Sequence, residues 1–348
     1  MYFVVRPFST IGLEISNSVV NEIDFQGAGL TSSVVDSLEL AESTLSGWVS
    51  LAADCERLGL DSLWCSWDKY VRVTSSRAKC VDPSTILASM VPKTQSLMLG
   101  VFEDVSQGRH PTMFAREITT LDIVSSGRAG VAISLLDLRK MPKPHTMNST
   151  FSTSKEMDVD NLVSTITLNE VNSMRQLIEY LQICRKMFSS GKASLDGVFY
   201  KVPNAVNLPP PVEPGEPFIA CNLGLITSNV ESSTQDGTFN IGDLVDVDHL
   251  NDLDRMLELA DALIVSGSVG AIETLGSSLA RRTPSWNSQS KLIWRGALAT
   301  LDSRLVDRLV QAGVNGFICK VDQSSVHGFE KAQEAIGSVV IDITRALS

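Results

Sequence analysis

The residues able to do chemistry in this chain stand just after, or at the end of, its short apolar runs. The run at 62–66 is followed by Trp67 and Asp68, the run at 97–102 by the adjacent carboxylates Glu103 and Asp104, and the run at 129–135 contains Ser134. Asp68 is a candidate catalytic or ligand-contacting carboxylate, and Asp is also common as a loop or cap residue at such positions. Two neighbouring carboxylates repel an anionic ligand unless one is protonated or turned away. Ser266-Gly267-Ser268-Val269-Gly270 follows the run at 262–265 and opens a helical stretch, so its backbone N–H groups suit an anion such as phosphate. Small residues are also what an ordinary strand-to-helix turn requires. His110 precedes Pro111 at the start of another helical stretch, as a second catalytic candidate or simply as that helix's cap. His145, His249 and His327 have no metal-like spacing. Six cysteines (Cys55, Cys65, Cys80, Cys184, Cys221, Cys319) lie far apart without a C-x-x-C pair, which argues for reduced structural thiols and against a zinc site.

Positioning these residues takes an alternating beat of helix and strand. Trp48, Leu51, Ala52, Cys55 and Leu58 recur at helical spacing, and Gly59 stands where a left-handed cap would end that helix. Asp82-Pro83 supplies an N-cap and a first-turn proline for the next helix, whose face is Ile86, Leu87, Met90 and Val91. Pro111 opens a third, with Phe114, Ile118, Leu121 and Val124 on one side and Gly127 closing it. Strand-length apolar runs centre near residues 4, 64, 99, 132, 219, 264, 293 and 317. Eight strands alternating with helices predict a (β/α)8 barrel over residues 1–348 as a single domain. Polar stretches at about 138–170 and 222–247 break the beat and read as insertions, the first a candidate lid. Residues 197–217, with prolines at 209, 210, 211, 214 and 217, read as a loop. In such a barrel the active site lies at the C-terminal strand ends, after residues 66, 102, 135, 221, 266, 294 and 319. Arg128 enters its strand at the opposite end, where a structural role is expected.

Composition narrows the function classes. The chain has 348 residues, 43% of them apolar, enough for a large core. It carries 29 Lys plus Arg against 40 Asp plus Glu, a net charge of −11 with no basic block, which disfavours nucleic acid or an anionic membrane as partner. The first apolar run is too short for a signal peptide and no run reaches membrane-span length, so a cytoplasmic location is expected.

Read together, Cys55-Glu56-Arg57-Leu58-Gly59-Leu60-Asp61-Ser62-Leu63-Trp64, Asp82-Pro83, His110-Pro111, Ala115-Arg116-Glu117, Leu121-Asp122 and Ser125-Ser126-Gly127-Arg128 resemble the bacterial luciferase-like monooxygenases. Ile23-Asp24-Phe25-Gln26-Gly27-Ala28-Gly29 resembles the opening of the branch containing nitrilotriacetate and dibenzothiophene-sulfone monooxygenases. Gly197-Val198-Phe199-Tyr200 and Gly313-Val314-Asn315-Gly316-Phe317 match later landmarks of the same family. The resemblance implies a barrel that binds reduced FMN at its C-terminal strand ends. The flavin comes from a separate reductase and is used with O2 to oxidise a small organic substrate, commonly in a homodimer. On that resemblance Asp68, Glu103, Asp104, Ser134, Ser266, Gly267 and Ser268 are the candidate cofactor contacts, and Asp68 and His110 the catalytic ones. Departures accompany it: Glu103-Asp104 replaces a small hydroxyl residue, Ala132 and Leu135 replace an amide and a hydroxyl, and Asn222-Leu223-Gly224 matches the family's phosphate loop poorly. Two alternatives follow, a deazaflavin (F420)-dependent oxidoreductase and a non-catalytic homologue.

Overall fold

Parallel strands alternating with covering helices build the barrel of this molecule, and several local starts and stops have a residue-level cause. The computed structural model describes residues 11–16, 46–47, 49–66, 82–105, 109–134, 159–212, 216–227, 239–240, 247–282, 291–320, 340–343 and 345–346. The strands are β1 (Ile11–Ser16), β2 (Ser62–Ser66), β3 (Met98–Asp104), β4 (Ala129–Ser134), β5 (Lys192–Asp196), β6 (Lys201–Val206), β7 (Phe218–Thr227), β8 (Phe239–Asn240), β9 (Ala262–Gly267), β10 (Lys291–Ala297) and β11 (Gly316–Lys320). The main helices are α1 (49–57), α2 (Pro83–Met90), α3 (Pro111–Ser125), α4 (Val159–Ser190), α5 (Val247–Leu259), α6 (Val269–Arg282) and α7 (Ser303–Gln311).

Eight parallel strands run in the order β4, β3, β2, β1, β11, β10, β9, β7, and β4 pairs with β7 to close the ring. The fold is a (β/α)8 barrel. Inside it, Trp64, Met98, Phe102, Ala132, Phe218, Ala220, Ala262, Ile264, Ile293 and Ile318 form one apolar cluster, and the strand residues between them pack outward against the helices. Trp64 fills the lumen because β1 and β3 place glycine beside it: a Cβ on Gly100 would run into the indole, and one on Gly12 would meet Ser62 and the same ring. The indole N–H donates to Ser62 Oγ at 2.9 Å, so its buried polar atom is satisfied.

One device recurs at the N-terminal face. The residue just before a strand exchanges two hydrogen bonds with a residue near the start of the neighbouring strand. Asp61 N–H donates to Ile11 O (2.9 Å) and its Oδ2 accepts from Ile11 N–H (3.2 Å). Asp261 does the same with Ile219 (2.6 and 2.8 Å), and Asn315 with Leu292 (3.0 and 2.9 Å). Each short side chain thereby satisfies a backbone N–H at a strand start, where the sheet ladder has not yet begun.

Helix termini follow the expected chemistry. Asp82 caps α2 through Thr85 N–H at 2.8 Å, with Pro83 in the first turn. Gly59 (φ 83°) ends α1, and Leu60 N–H reaches back to Cys55 O. At the end of α3 the left-handed position falls on Ser126 (φ 61°) as well as Gly127 (φ 84°). A second clasp joins the first three units: the Glu56 carboxylate accepts from the backbone N–H groups of Gln95, Ser96 and Leu97. Across the same turn, Arg128 Nη1 donates to Leu97 O and Thr94 Oγ1, both at 2.9 Å.

Several boundaries differ from the sequence expectation. The first barrel strand is Ile11–Ser16, paired with β2 and β11, whereas the apolar run at 2–6 lies outside the described residues. Register with two neighbours, rather than apolar content, selected the later segment. Helix α4 begins at Val159, inside the stretch read as an insertion, and β7 continues to Thr227, inside the second. The expected loop at 197–217 contains half of an antiparallel ribbon, β5 with β6. Pro203 is tolerated there because a two-stranded ribbon leaves outward N–H positions that need no partner. Glu179 holds the ribbon's turn, accepting from the N–H groups of Val198, Phe199 and Tyr200. No helix of the described residues is long and apolar enough to cross a membrane.

Candidate active site

The C-terminal mouth of the barrel is built by inward-facing residues near the ends of its strands. Alternation from the lumen cluster assigns these positions: from Trp64 to Ser66 on β2, from Phe102 to Asp104 on β3, from Ala132 to Ser134 on β4, from Ala220 to Asn222 on β7, from Ile264 to Ser266 on β9, and from Ile293 to Arg295 on β10. Ser66, Asp104, Ser134 and Asn222 are all buried. Beneath this collar lies an aromatic floor, with Phe102 5.3 Å from Trp64 between centroids and the Arg295 guanidinium 4.7 Å above the Phe102 ring. Ser266 Oγ donates to Arg295 O at 2.6 Å and ties β9 to β10 at the rim. Asn222 Nδ2 donates to Ser134 Oγ at 3.1 Å, joining β7 to β4 where the barrel closes.

Glu103 is the principal correction. Strand β3 runs through Asp104, so the two carboxylates are not a loop pair but consecutive strand residues on opposite faces. Asp104 enters the mouth, whereas Glu103 is turned into the helix layer, where Arg109 Nε stands 3.7 Å from its Oε1. Arg109 also meets Glu117 at 2.6 Å and Asp82 at 3.4 Å. One guanidinium thus joins the end of β3 to the N-cap of α2 and the second turn of α3. Around Glu103 lie Tyr180 and Cys184 of α4, and burial pushes both hydroxyl and thiol well above their ordinary ionisation ranges. Glu117 is also raised, by burial first and then by Asp82, against the opposing pull of Arg109. Glu103 therefore lies on the helix-layer face of β3, opposite to Asp104.

His110 occupies the N-cap of α3: Thr112 N–H points at its Nδ1, which lies 2.8 Å from Thr112 Oγ1. Its ring meets Tyr200 of the ribbon edge-to-face at 5.8 Å, so it stands on the rim of the helix layer and outside the inward collar. Ser268 uses its hydroxyl to accept from Ala271 N–H (3.3 Å), as a cap of α6. The Ser266-Gly267-Ser268 turn is thus a capped βα turn, with Gly267 at a positive φ of 144°. Trp67, Asp68 and Leu135 lie outside the described residues. The structure brings together Asp104, Ser134 and Ser266, and adds Ser66, Asn222 and Arg295. Asn222 and Arg295 are findable by counting every second residue outward from Ala220 and Ile293, provided the strands are known to run that far.

Arg128 sits at the other end of the barrel, with Nε donating to Ser125 O at 2.7 Å beside its bonds to Thr94 and Leu97. The described cysteines are buried and free, and burial pushes Cys55, Cys221 and Cys319 up to about 12. Among the described residues no group of three His, Cys, Asp or Glu side chains is arranged to hold a metal ion.

Comparison with known proteins bears on this mouth. Residues 26–134 match the family model described as luciferase-like monooxygenase, which covers β2, β3, β4 and the Asp104 and Ser134 rim positions. No curated protein sequence matches significantly. Among solved structures, the chain is similar to the coenzyme F420-dependent tetrahydromethanopterin reductase of Methanopyrus kandleri, at 12% identity and TM-score 0.58, covering 96% of this chain and 98% of that one. It is similar to a long-chain alkane monooxygenase at 14% identity and TM-score 0.57, covering 97% and 92%. It is also similar to the oxygenating constituent of 3,6-diketocamphane monooxygenase from Pseudomonas putida in complex with FMN, at 11% identity and TM-score 0.55, covering 98% and 99%. These likenesses establish the fold: a luciferase-like segment set in a complete (β/α)8 barrel of the kind those enzymes share.

Proposed function

We propose that this protein is a flavin-dependent oxidoreductase, a monooxygenase that uses reduced FMN and O2 to oxidise a small organic substrate. The observation that carries the reading is the mouth itself, an aromatic floor of Phe102 and Trp64 under a collar of Asp104, Ser134, Asn222, Ser266 and Arg295. That set fits a flat ring with one polar edge: Phe102 and Ala132 offer apolar surface, and the amide, hydroxyl and guanidinium groups meet carbonyl and ring-nitrogen atoms. The flavin, when bound, supplies the reaction with oxygen. The chain's residues orient the ring, exclude water over the apolar floor, and hold positive charge at Arg295 against the negative charge of a reduced flavin.

The deazaflavin F420 is the second reading, supported by the fold shared with F420-dependent enzymes. We further propose that a separate reductase supplies the cofactor and that the protein is a homodimer, which sedimentation velocity tests directly. Anaerobic titration of the purified protein with reduced FMN and with reduced F420 is the deciding experiment. Saturable binding of reduced FMN at micromolar concentration supports the reading, and a preference for F420 moves it to the second. Binding of neither at millimolar concentration sinks both in favour of a non-catalytic homologue.

A further inference from the structure

The orientation of one mouth residue is fixed by its own backbone. Gly224 N–H donates to the Asn222 carboxamide at 3.1 Å, so the accepting atom is Oδ1 and the other is the nitrogen. Nδ2 then donates to Ser134 Oγ. Having accepted that hydrogen, Ser134 keeps its own proton to give, and Nδ2 keeps its second. Neither hydrogen has an acceptor among the described residues. The pair therefore has two hydrogens to give to a ligand, beside the second lone pair of Ser134 Oγ.

The backbone is shaped to make this arrangement. The register of β7 on β9 slips between Asn222 and Gly224, Gly224 takes φ 73°, and Leu223 is buried in the helix-facing core. Such a bulge re-aims the side chain beside it, and it falls at the rim where β7 meets β4. Both partners are nearly out of solvent, Asn222 at 6% and Ser134 at 9% exposure, so hydrogens left without an acceptor there are costly. Asp104, opposite Ser134 in the strand register, adds a carboxylate to the same rim, against which the two donors and Arg295 must work if an anion is to bind.

We propose that Asn222 and Ser134 form a two-donor clamp for an acceptor atom of the ring cofactor, and that the clamp makes the site prefer the reduced, anionic ring to the oxidised, neutral one. The clamp rests on the flavin-dependent reading above and names the residues that set its redox preference. Hydrogen bonds to a charged acceptor are about twice as strong as those to a neutral one, which gives the preference its sign.

Ser134→Ala is the informative variant. It removes one of the two donors, leaves Asn222 Oδ1 bound to Gly224 N–H and adds no charge, whereas Asn222→Asp would set a second carboxylate on the rim that already holds buried Asp104 and repel an anionic ring with or without the clamp. Native protein, Ser134→Ala and Asn222→Ala are titrated anaerobically with reduced and oxidised FMN and F420, and the melting temperature of each cofactor-free protein is recorded. The expected result is a loss of about 10- to 100-fold in reduced-cofactor affinity for Ser134→Ala, the factor set by one charge-assisted hydrogen bond. Oxidised-cofactor affinity should fall much less and the cofactor-free melting temperature should hardly move. Equal loss for both redox forms, or native affinity for the reduced form, overturns the clamp while leaving the flavin reading in place. Failure of the native protein to bind either cofactor overturns the flavin reading and the clamp with it.

Discussion

Replacing Glu56 by alanine should destabilise the barrel by about 2 kcal/mol at neutral pH and by less in acid. The magnitude comes from what the carboxylate holds: the N–H groups of Gln95, Ser96 and Leu97, and the Ser96 hydroxyl at 2.7 Å. Gln95 and Ser96 are exposed, so water takes over their bonds at small cost, whereas Leu97 is buried and its N–H is left without its acceptor. A hydrogen bond to a charged group is worth roughly 1.5–3 kcal/mol net, and one such bond is effectively lost. The pH dependence follows from ionisation. Burial acts to raise the Glu56 pKa, but the bonds from Ser96, Gln95 and Leu97 outweigh it and hold the group below its ordinary 4.5. A depressed acid contributes stability that is present above its unfolded value and is lost as pH falls through the folded one. The gap between native protein and Glu56→Ala should therefore be full at pH 6–7 and shrink steadily below about 4.5. Urea denaturation at a series of pH values from 7 to 3, followed by far-UV circular dichroism, reads this gap. A gap unchanged by pH, or no gap at pH 7, refutes the reasoning.

Two other perturbations test the barrel's construction. Asp261→Ala removes the acceptor for Ile219 N–H and a partner of Arg185 (2.9 Å), and should cost about 1–3 kcal/mol by chemical denaturation. Asp261→Asn should cost less, since Asn315 performs the same backbone exchange at its own strand start; equal losses for the two variants would remove the exchange as the cause. Gly100→Ala should destabilise by about 1–3 kcal/mol because its methyl group meets the Trp64 ring, and combining it with Trp64→Leu should recover part of that loss. Additive losses in the double variant would mean that the ring is not what glycine accommodates.

The residues that made the family resemblance legible turn out to hold the scaffold. Glu56, Asp82, Asp122, Arg128 and Gly59 are caps, clasps or turn residues. Asp122, for example, accepts from Ala129 N–H at 3.3 Å and Val212 N–H at 2.9 Å. Their spacing is conspicuous because each acts on backbone a few residues away or one unit along, and such short-range geometry is written in short stretches of sequence. This explains why the chain announces its barrel more clearly than its chemistry. The mouth residues act across strands, and their sequence neighbours carry no trace of the partner. Ser134 and Asn222 are 88 positions apart and meet only because β4 closes on β7.

The sequence by itself determined the alternating helix–strand order, the caps of α2 and α3, the apolar faces and therefore the barrel, because helical period, strand period and capping are near-neighbour physics. Tertiary structure decided the rest. It assigned the first strand to Ile11–Ser16 by register with β2 and β11, and it extended β3 by the two residues that put Glu103 and Asp104 on opposite faces. It also bulged β7 so that Asn222 faces the lumen beside Ser134. Each of those outcomes depends on where a strand stops and which strand lies next to it. Both are settled by closure of the ring, when every strand must find hydrogen-bond partners on both sides.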